Sequence, residues 1–139
     1  MATLSQSPEP GAQAADSSVT PGHLGDPVLK LDLAREISAL WPHVDETGMG
    51  HMARSLVRQP TLRVVLMVLR RGSRIREHSA DGAFSLQVIS GRIALTLDQR
   101  TFELSAGELL AVEKRLPHDV EAFEDSAVLM TLSWQRTSD

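Results

Sequence analysis

Two histidines, His78 and His118, are the residues of this chain best suited to chemistry. His78 follows Gly72 after five intervening residues, and His118 stands eleven positions after Gly107. An imidazole near its ordinary pKa can accept a proton, donate one or bind a divalent metal at neutral pH. The sequence has no cysteine, so no disulfide, thiolate nucleophile or thiolate metal site is available and a metal would rest on His, Asp or Glu. The serines stand mostly in turn-like stretches or near the N-terminus, with no Gly-x-Ser-x-Gly and no glycine loop of the kind that cradles phosphate. Catalysis in this chain would therefore come from a bound metal, or from His78 or His118 acting as acid and base.

The elements that must hold these rings are short strands. After Gly50 the hydrophobic period is two, and turn residues recur about every ten positions. The pattern predicts strands over His51–Arg58, Leu62–Arg71, Ala83–Ser90, Arg92–Leu97, Thr101–Leu104, Leu109–Val112, His118–Phe123 and Ala127–Trp134. Many short strands joined by tight turns imply a β-sandwich or barrel. His118 alternates with Asp119 and Glu121 and shares its parity with Val120 and Ala122, which points its ring into the apolar interior. Phe84, Leu86 and Val88 share one face in the same way and are expected to line that interior. Both faces of Leu62–Leu69 are apolar, so this strand needs a second cover. The candidates are a helix capped by Asp32, with Leu33, Ile37, Leu40 and Trp41 in one stripe and Pro42 as its end, or a second copy of the chain in a homodimer.

Residues 1–27 are rich in Ala, Ser, Gly, Gln and Pro and carry Glu9, Asp16 and Asp26 with no Lys or Arg, and are expected to form a flexible tail. Residues 28–139 are then one barrel domain. A 42% hydrophobic and 23% charged composition is that of an ordinary globular protein. No run reaches the roughly 18 to 20 apolar residues that span a bilayer, and the N-terminus lacks a basic segment followed by an apolar stretch, so a cytoplasmic protein with no membrane partner is expected. The net charge of −4 falls mostly on the tail and leaves a near-neutral body without interleaved aromatics, which argues against nucleic-acid binding.

The glycines and histidines together resemble the two-motif signature of the cupin superfamily over about residues 51 to 135. The first motif runs from Gly72 through His78 to Gly91 at the family's spacing, but its second histidine position holds Ala80 and its glutamate position Phe84. The second motif keeps the Gly107-to-His118 interval, with Glu113 and Arg115 for the usual proline and glycine and Ala122 for the closing asparagine. The Leu116-to-Ala122 stretch is similar to that of small single-domain bacterial cupins. The resemblance implies an all-β fold, a cupin-type double-stranded β-helix or jelly-roll barrel with one short N-terminal helix, and a homodimer.

Metal-binding cupins hold an ion such as Fe, Mn, Ni or Zn on three histidines and a glutamate. The resemblance carries over two of these ligands, His78 and His118, with Glu77, Asp81, Glu113 and His51 as candidates for a third. Phe84 in place of a carboxylate, extended by Leu86, Val88 and Val120, instead makes a dry pocket suited to a small molecule held by the two histidines. Three readings stay open: a sensor or carrier of a small molecule, a metal-dependent oxygenase or isomerase acting on a small acidic substrate, and an oligomerisation module. If Arg70, Arg71, Arg74 and Arg76 rim the barrel mouth, they would favour an anionic ligand; the plainer expectation is a solvated loop.

Overall fold

A computed structural model describes residues 23–77, 82–113 and 116–133, and its internal contacts divide the chain into Met1–Leu31 and Asp32–Asp139. Of the expected tail, residues 1–22 lie outside the described residues. Among its described residues, unit Asp32–Asp139 begins with helix α1 (Leu33–Thr47) and continues as nine strands: β1 (His51–Arg58), β2 (Leu62–Leu69), β3 (Arg74–Glu77), β4 (Phe84–Ser90), β5 (Arg92–Leu97), β6 (Arg100–Ser105), β7 (Leu109–Val112), β8 (His118–Ala122) and β9 (Ser126–Ser133). All pairings are antiparallel and form two sheets, ordered β1-β2-β9-β4-β7 and β3-β8-β5-β6. No helix among the described residues is long and apolar enough to cross a membrane.

The pleat sends alternate side chains of each strand inward. Cross-strand partners share a face, so the register sorts the interior into rows. In the first sheet Ser55, Val65, Met130, Leu86 and Leu110 form one row, and Met67, Val128 and Val88 the next. In the second, Ile75, Val120, Leu95 and Phe102 form a row above Ala122, Ile93 and Leu104. Residues of both sheets join in a single hydrophobic core that includes Met67, Leu86, Val88, Leu95 and Val120.

The opposite face of β2 presents Leu66 and Val68, which are fully buried yet lie outside that core. Their cover is α1, which packs on β1 and β2 through the equally buried Leu40 and Val44. The Asp32 side chain caps α1 by accepting the Arg35 N–H at 3.2 Å. Pro42 does not end the helix as expected; α1 runs on to Thr47 and stops at Gly48 in the left-handed conformation, φ 71°. The missing proline N–H costs a helix interior about 3 kcal/mol, while burying Val44 one turn beyond Leu40 returns roughly 1.5–3 kcal/mol that an earlier stop would forfeit. The Thr47 hydroxyl, donating to the Val44 carbonyl and accepting the Met49 N–H, closes the last turn.

The arginine run also differs from expectation. Arg74–Glu77 is a strand with a single apolar residue, too little for alternation to reveal it, and it pairs with β8. Arg74 and Arg76 stand on the outward face beside Glu121 and Asp119 and do not rim the interior. Arg70 is a tie between elements: its guanidinium lies 4.2 Å from the Trp41 ring centroid and 2.8 Å from both Asp45 of α1 and Asp125 of the β8–β9 turn. The Arg71 N–H donates to the same Asp125 carboxylate at 2.8 Å, and this bond, followed by the Arg70 guanidinium, holds the Asp125 carboxyl below its ordinary value.

The β4–β5 turn crosses closely over the β8–β9 turn at Gly91, φ 88°, where an added Cβ would run into Ser126 Oγ and the Asp125 carbonyl. Gly72 has a similar φ of 86° with nothing near its missing Cβ. Gly91→Ala should therefore cost roughly 2–5 kcal/mol, left-handed strain plus overpacking, and Gly72→Ala only about 1–2 kcal/mol, as read from urea midpoints. Because the folded Asp125 carboxyl is depressed, its contribution to stability is present above the unfolded carboxylate value and disappears as pH falls through the folded one. Asp125→Asn should thus lower Tm at pH 7, with the difference from wild type shrinking below about pH 4 in a thermal-melt series.

Candidate functional site

His118 opens β8, where its backbone is paired with Glu77 of β3 on one side and Leu97 of β5 on the other. Its ring is 3% exposed on the same inward face as Val120 and Ala122. Phe84 opens β4 between Val112 of β7 and Leu132 of β9, and reaches His118 from the other sheet with ring centroids 4.9 Å apart and planes tilted by 35°. His118 and Phe84 thus meet across the interior at one end of the barrel. Leu86, Val88 and Val120, expected to line a pocket with them, follow on the same faces and are packed into the core. His78 lies outside the described residues; in the chain it directly follows Glu77, the register partner of His118.

The His118 ring is oriented by its neighbour. Nδ1 lies 3.3 Å from the Leu116 carbonyl, and a carbonyl oxygen only accepts, so Nδ1 is the donor of this contact.

The candidate third ligands do not gather here. His51 pairs with Leu69 at the far end of the first sheet, six residues or about 20 Å along β2 from the row that holds Phe84. Glu113 is exposed, and Asp81 lies outside the described residues. Among the described residues no group of three or more His, Asp or Glu is close enough to share a metal.

Sequence reasoning did not find two features of this end of the barrel. The end row of the first sheet reads Arg58, Arg63, Leu132, Phe84 and Val112, so two arginines stand in line with the His118 partner ring. Arg63 has the inward parity of Val65 and Met67, and its Nε is buried. Parity along β2 was the available signal. The second feature is a groove of about 530 Å³ whose walls include Leu62, Ser85, Ala111, Thr131 and Ser133, with Phe84 at its inner side. These outward positions come from four different strands, and only the register brings them together.

A family model described as "Cupin domain" matches residues 65–134, half of the chain, from the inward face of β2 to the residue after β9. The chain belongs to the cupin superfamily. Solved structures agree on the fold. A conserved protein of unknown function from Streptococcus pyogenes is 21% identical, with 87% of this chain and all of that one covered at a TM-score of 0.61. KdgF from Halomonas sp. is 22% identical over 63% of this chain and 82% of its own, TM-score 0.56. Salicylate 1,2-dioxygenase from Pseudoaminobacter salicylatoxidans is 19% identical with a TM-score of 0.64; 79% of this cupin is covered but only 36% of the dioxygenase. Among curated proteins none matches the sequence.

Cupins often hold a metal at this end of the barrel, and the described residues of this cupin do not fit one. The motif's glutamate position is a phenyl ring packed 4.9 Å from the imidazole that would be a ligand, and no carboxylate replaces it among the described residues. Their chemistry is that of an apolar wall beside one buried imidazole. A long-range ¹H–¹⁵N spectrum of labelled protein should show His118 with a pyrrole-type, protonated Nδ1, and a pyridine-type Nδ1 would overturn its contact with the Leu116 carbonyl.

Proposed function

We propose that this cupin binds a small organic molecule at the His118 end of its barrel, as a sensor or carrier, with His118 as polar anchor and Phe84 as the apolar wall beside it. The observation that carries this reading is the burial of His118 at this end of the barrel, with its Nδ1 on the Leu116 carbonyl and its ring against Phe84. His78 is the proposed second anchor, on the strength of its motif spacing and its place in the chain next to Glu77. Leu86, Val88 and Val120 follow on the same inward faces and form the packed core beneath this end.

Thermal shift against a metabolite panel tests this with wild type and His118→Phe, which keeps an aromatic ring against Phe84 but removes both ring nitrogens. A true ligand at a hundredfold excess over its Kd should raise the wild-type Tm by about 10 °C and that of His118→Phe by much less. Equal shifts in both proteins count against the histidine. Elemental analysis of protein purified without added metal accompanies the panel. Stoichiometric Fe, Mn, Ni or Zn that is lost in His78→Ala and His118→Ala would replace the carrier reading with that of a metal-dependent oxygenase or isomerase.

A further inference from the structure

We propose that a second copy of this chain covers the outward face of β2, β9, β4 and β7, making the protein a two-fold dimer joined through its first sheet. The inference stands apart from the barrel-end reading above and concerns the opposite side of the same strands.

Composition separates the outer faces of the two sheets. A strand face in contact with water ordinarily carries polar and charged side chains, with apolar ones turned inward. The second sheet follows this rule: Arg74, Arg76, Asp119, Glu121 and Glu103 stand on its outward face, and ion pairs join Arg74 to Glu121 and Arg76 to Asp119. In β2, β9, β4 and β7 the single charged residue is Arg63, and its parity is inward. One outward row of these strands reads Leu129, Gln87 and Leu109, and the next reads Val64, Thr131, Ser85 and Ala111. Loss of charge with retention of apolar area is the composition of the buried centre of a protein interface, not of a solvated sheet.

Helix α1 accounts for part of this face alone. Leu40 and Val44 cover Leu66 and Val68, but the apolar stripe of β2 continues past the helix to Val64 and Leu62. Leu62 and Leu109, at two margins of the open part, are 37% and 54% exposed, and the groove of about 530 Å³ crosses it with Ser85, Ala111 and Thr131 in its walls. A second copy is the occupant that fits by charge and by size. A two-fold axis sets one patch against itself, so a charge near the axis would meet its own kind, and these outward positions carry none. Five strands of up to eight residues give the whole outward face, with the flank of α1, at most about 24 Å by 27 Å, or roughly 650 Å² per copy. A standard interface takes about 800 Å² from each partner, so the face suits a reversible dimer at the lower end of that class. Because α1 lies on the β1–β2 side, the open halves meet with the axis near Ser85 of β4.

Sedimentation velocity on the full chain, from about 1 to 200 µM, should show a reversible monomer–dimer equilibrium for wild type. Leu109→Lys and Ala111→Lys change side chains that are exposed in the single chain, so each should fold with a Tm within about 3 °C of wild type. Each should nevertheless weaken the dimer at least about tenfold, because the axis brings two unpaired ammonium groups into one apolar contact. Thr101→Lys, on the outward face of the second sheet, should leave the equilibrium unchanged. The chain has no cysteine, so Ser85→Cys supplies one thiol near the axis, and a short bismaleimide should link it to its own copy while Thr101→Cys stays unlinked. A wild type that remains monomeric over the whole range overturns the proposal, and 8-anilinonaphthalene sulfonate bound by that monomer and lost in Ala111→Lys would give the groove to a small apolar molecule instead. A dimer that both lysines leave intact also overturns it, and one that dissociates only in Thr101→Lys is joined through the second sheet.

Discussion

Closure of two antiparallel sheets over one shared hydrocarbon interior is the constraint on which everything else in this protein depends. Neither sheet buries enough surface alone, and the core that Met67, Leu86, Val88, Leu95 and Val120 make together belongs to both. Once the sheets face each other, the two-residue period of every strand decides which side chains are inside. His118 is inside because Val120 and Ala122 must be, and Arg63 is inward because Val65 and Met67 are. The chemistry at the barrel end is thus a by-product of register: a one-residue slip in β8 would exchange His118 for Asp119 and leave a carboxylate in the core.

The first sheet has a second debt to solvent on its outer face, and α1 covers it only where Leu66 and Val68 lie. Arg70 reinforces that cover from the sheet side, joining Trp41 and Asp45 of the helix to Asp125 of the β8–β9 turn. The pair is exposed, so its worth lies less in raw energy than in holding three segments in one arrangement. Gly91 serves the same turn from beneath: it allows the β4–β5 crossing to approach Asp125 and Ser126, and Ser126 in turn accepts the Arg92 N–H at 3.0 Å and donates to the Glu124 carbonyl at 2.7 Å. One end of the barrel is thereby tied by ion pairs and turn contacts, while the other presents His118, Phe84 and the arginine-bearing row.

Replacement of a carboxylate by Phe84 is the change that most alters what such a barrel can do. A carboxylate beside His118 would be a charged partner for a cation; a phenyl ring at 4.9 Å is an apolar partner that keeps water away and orients the imidazole. Among the described residues the polar groups that register brings to this end are the His118 imidazole on one sheet and the Arg58 and Arg63 positions on the other.

The sequence by itself determined the architecture and the identity of the inward faces. Alternation and turn residues locate eight of the nine strands within about two residues, because each carries apolar side chains on one parity; β3 escaped because Arg74, Arg76 and Glu77 leave only Ile75 to mark its face. The inward placement of His118, Phe84, Leu86, Val88 and Val120 was legible for the same local reason. What tertiary structure alone decided is everything that needs two strands at once. The meeting of Phe84 with His118, the separation of His51 from both, the use of Arg70 as a tie to α1 and the alignment of Arg63 with Leu132 and Phe84 all depend on strand order and register. Those are set by long-range pairing between segments that share no local pattern. The same holds for α1, whose passage through Pro42 is decided by the burial of Val44 against a sheet that local helix propensity does not contain.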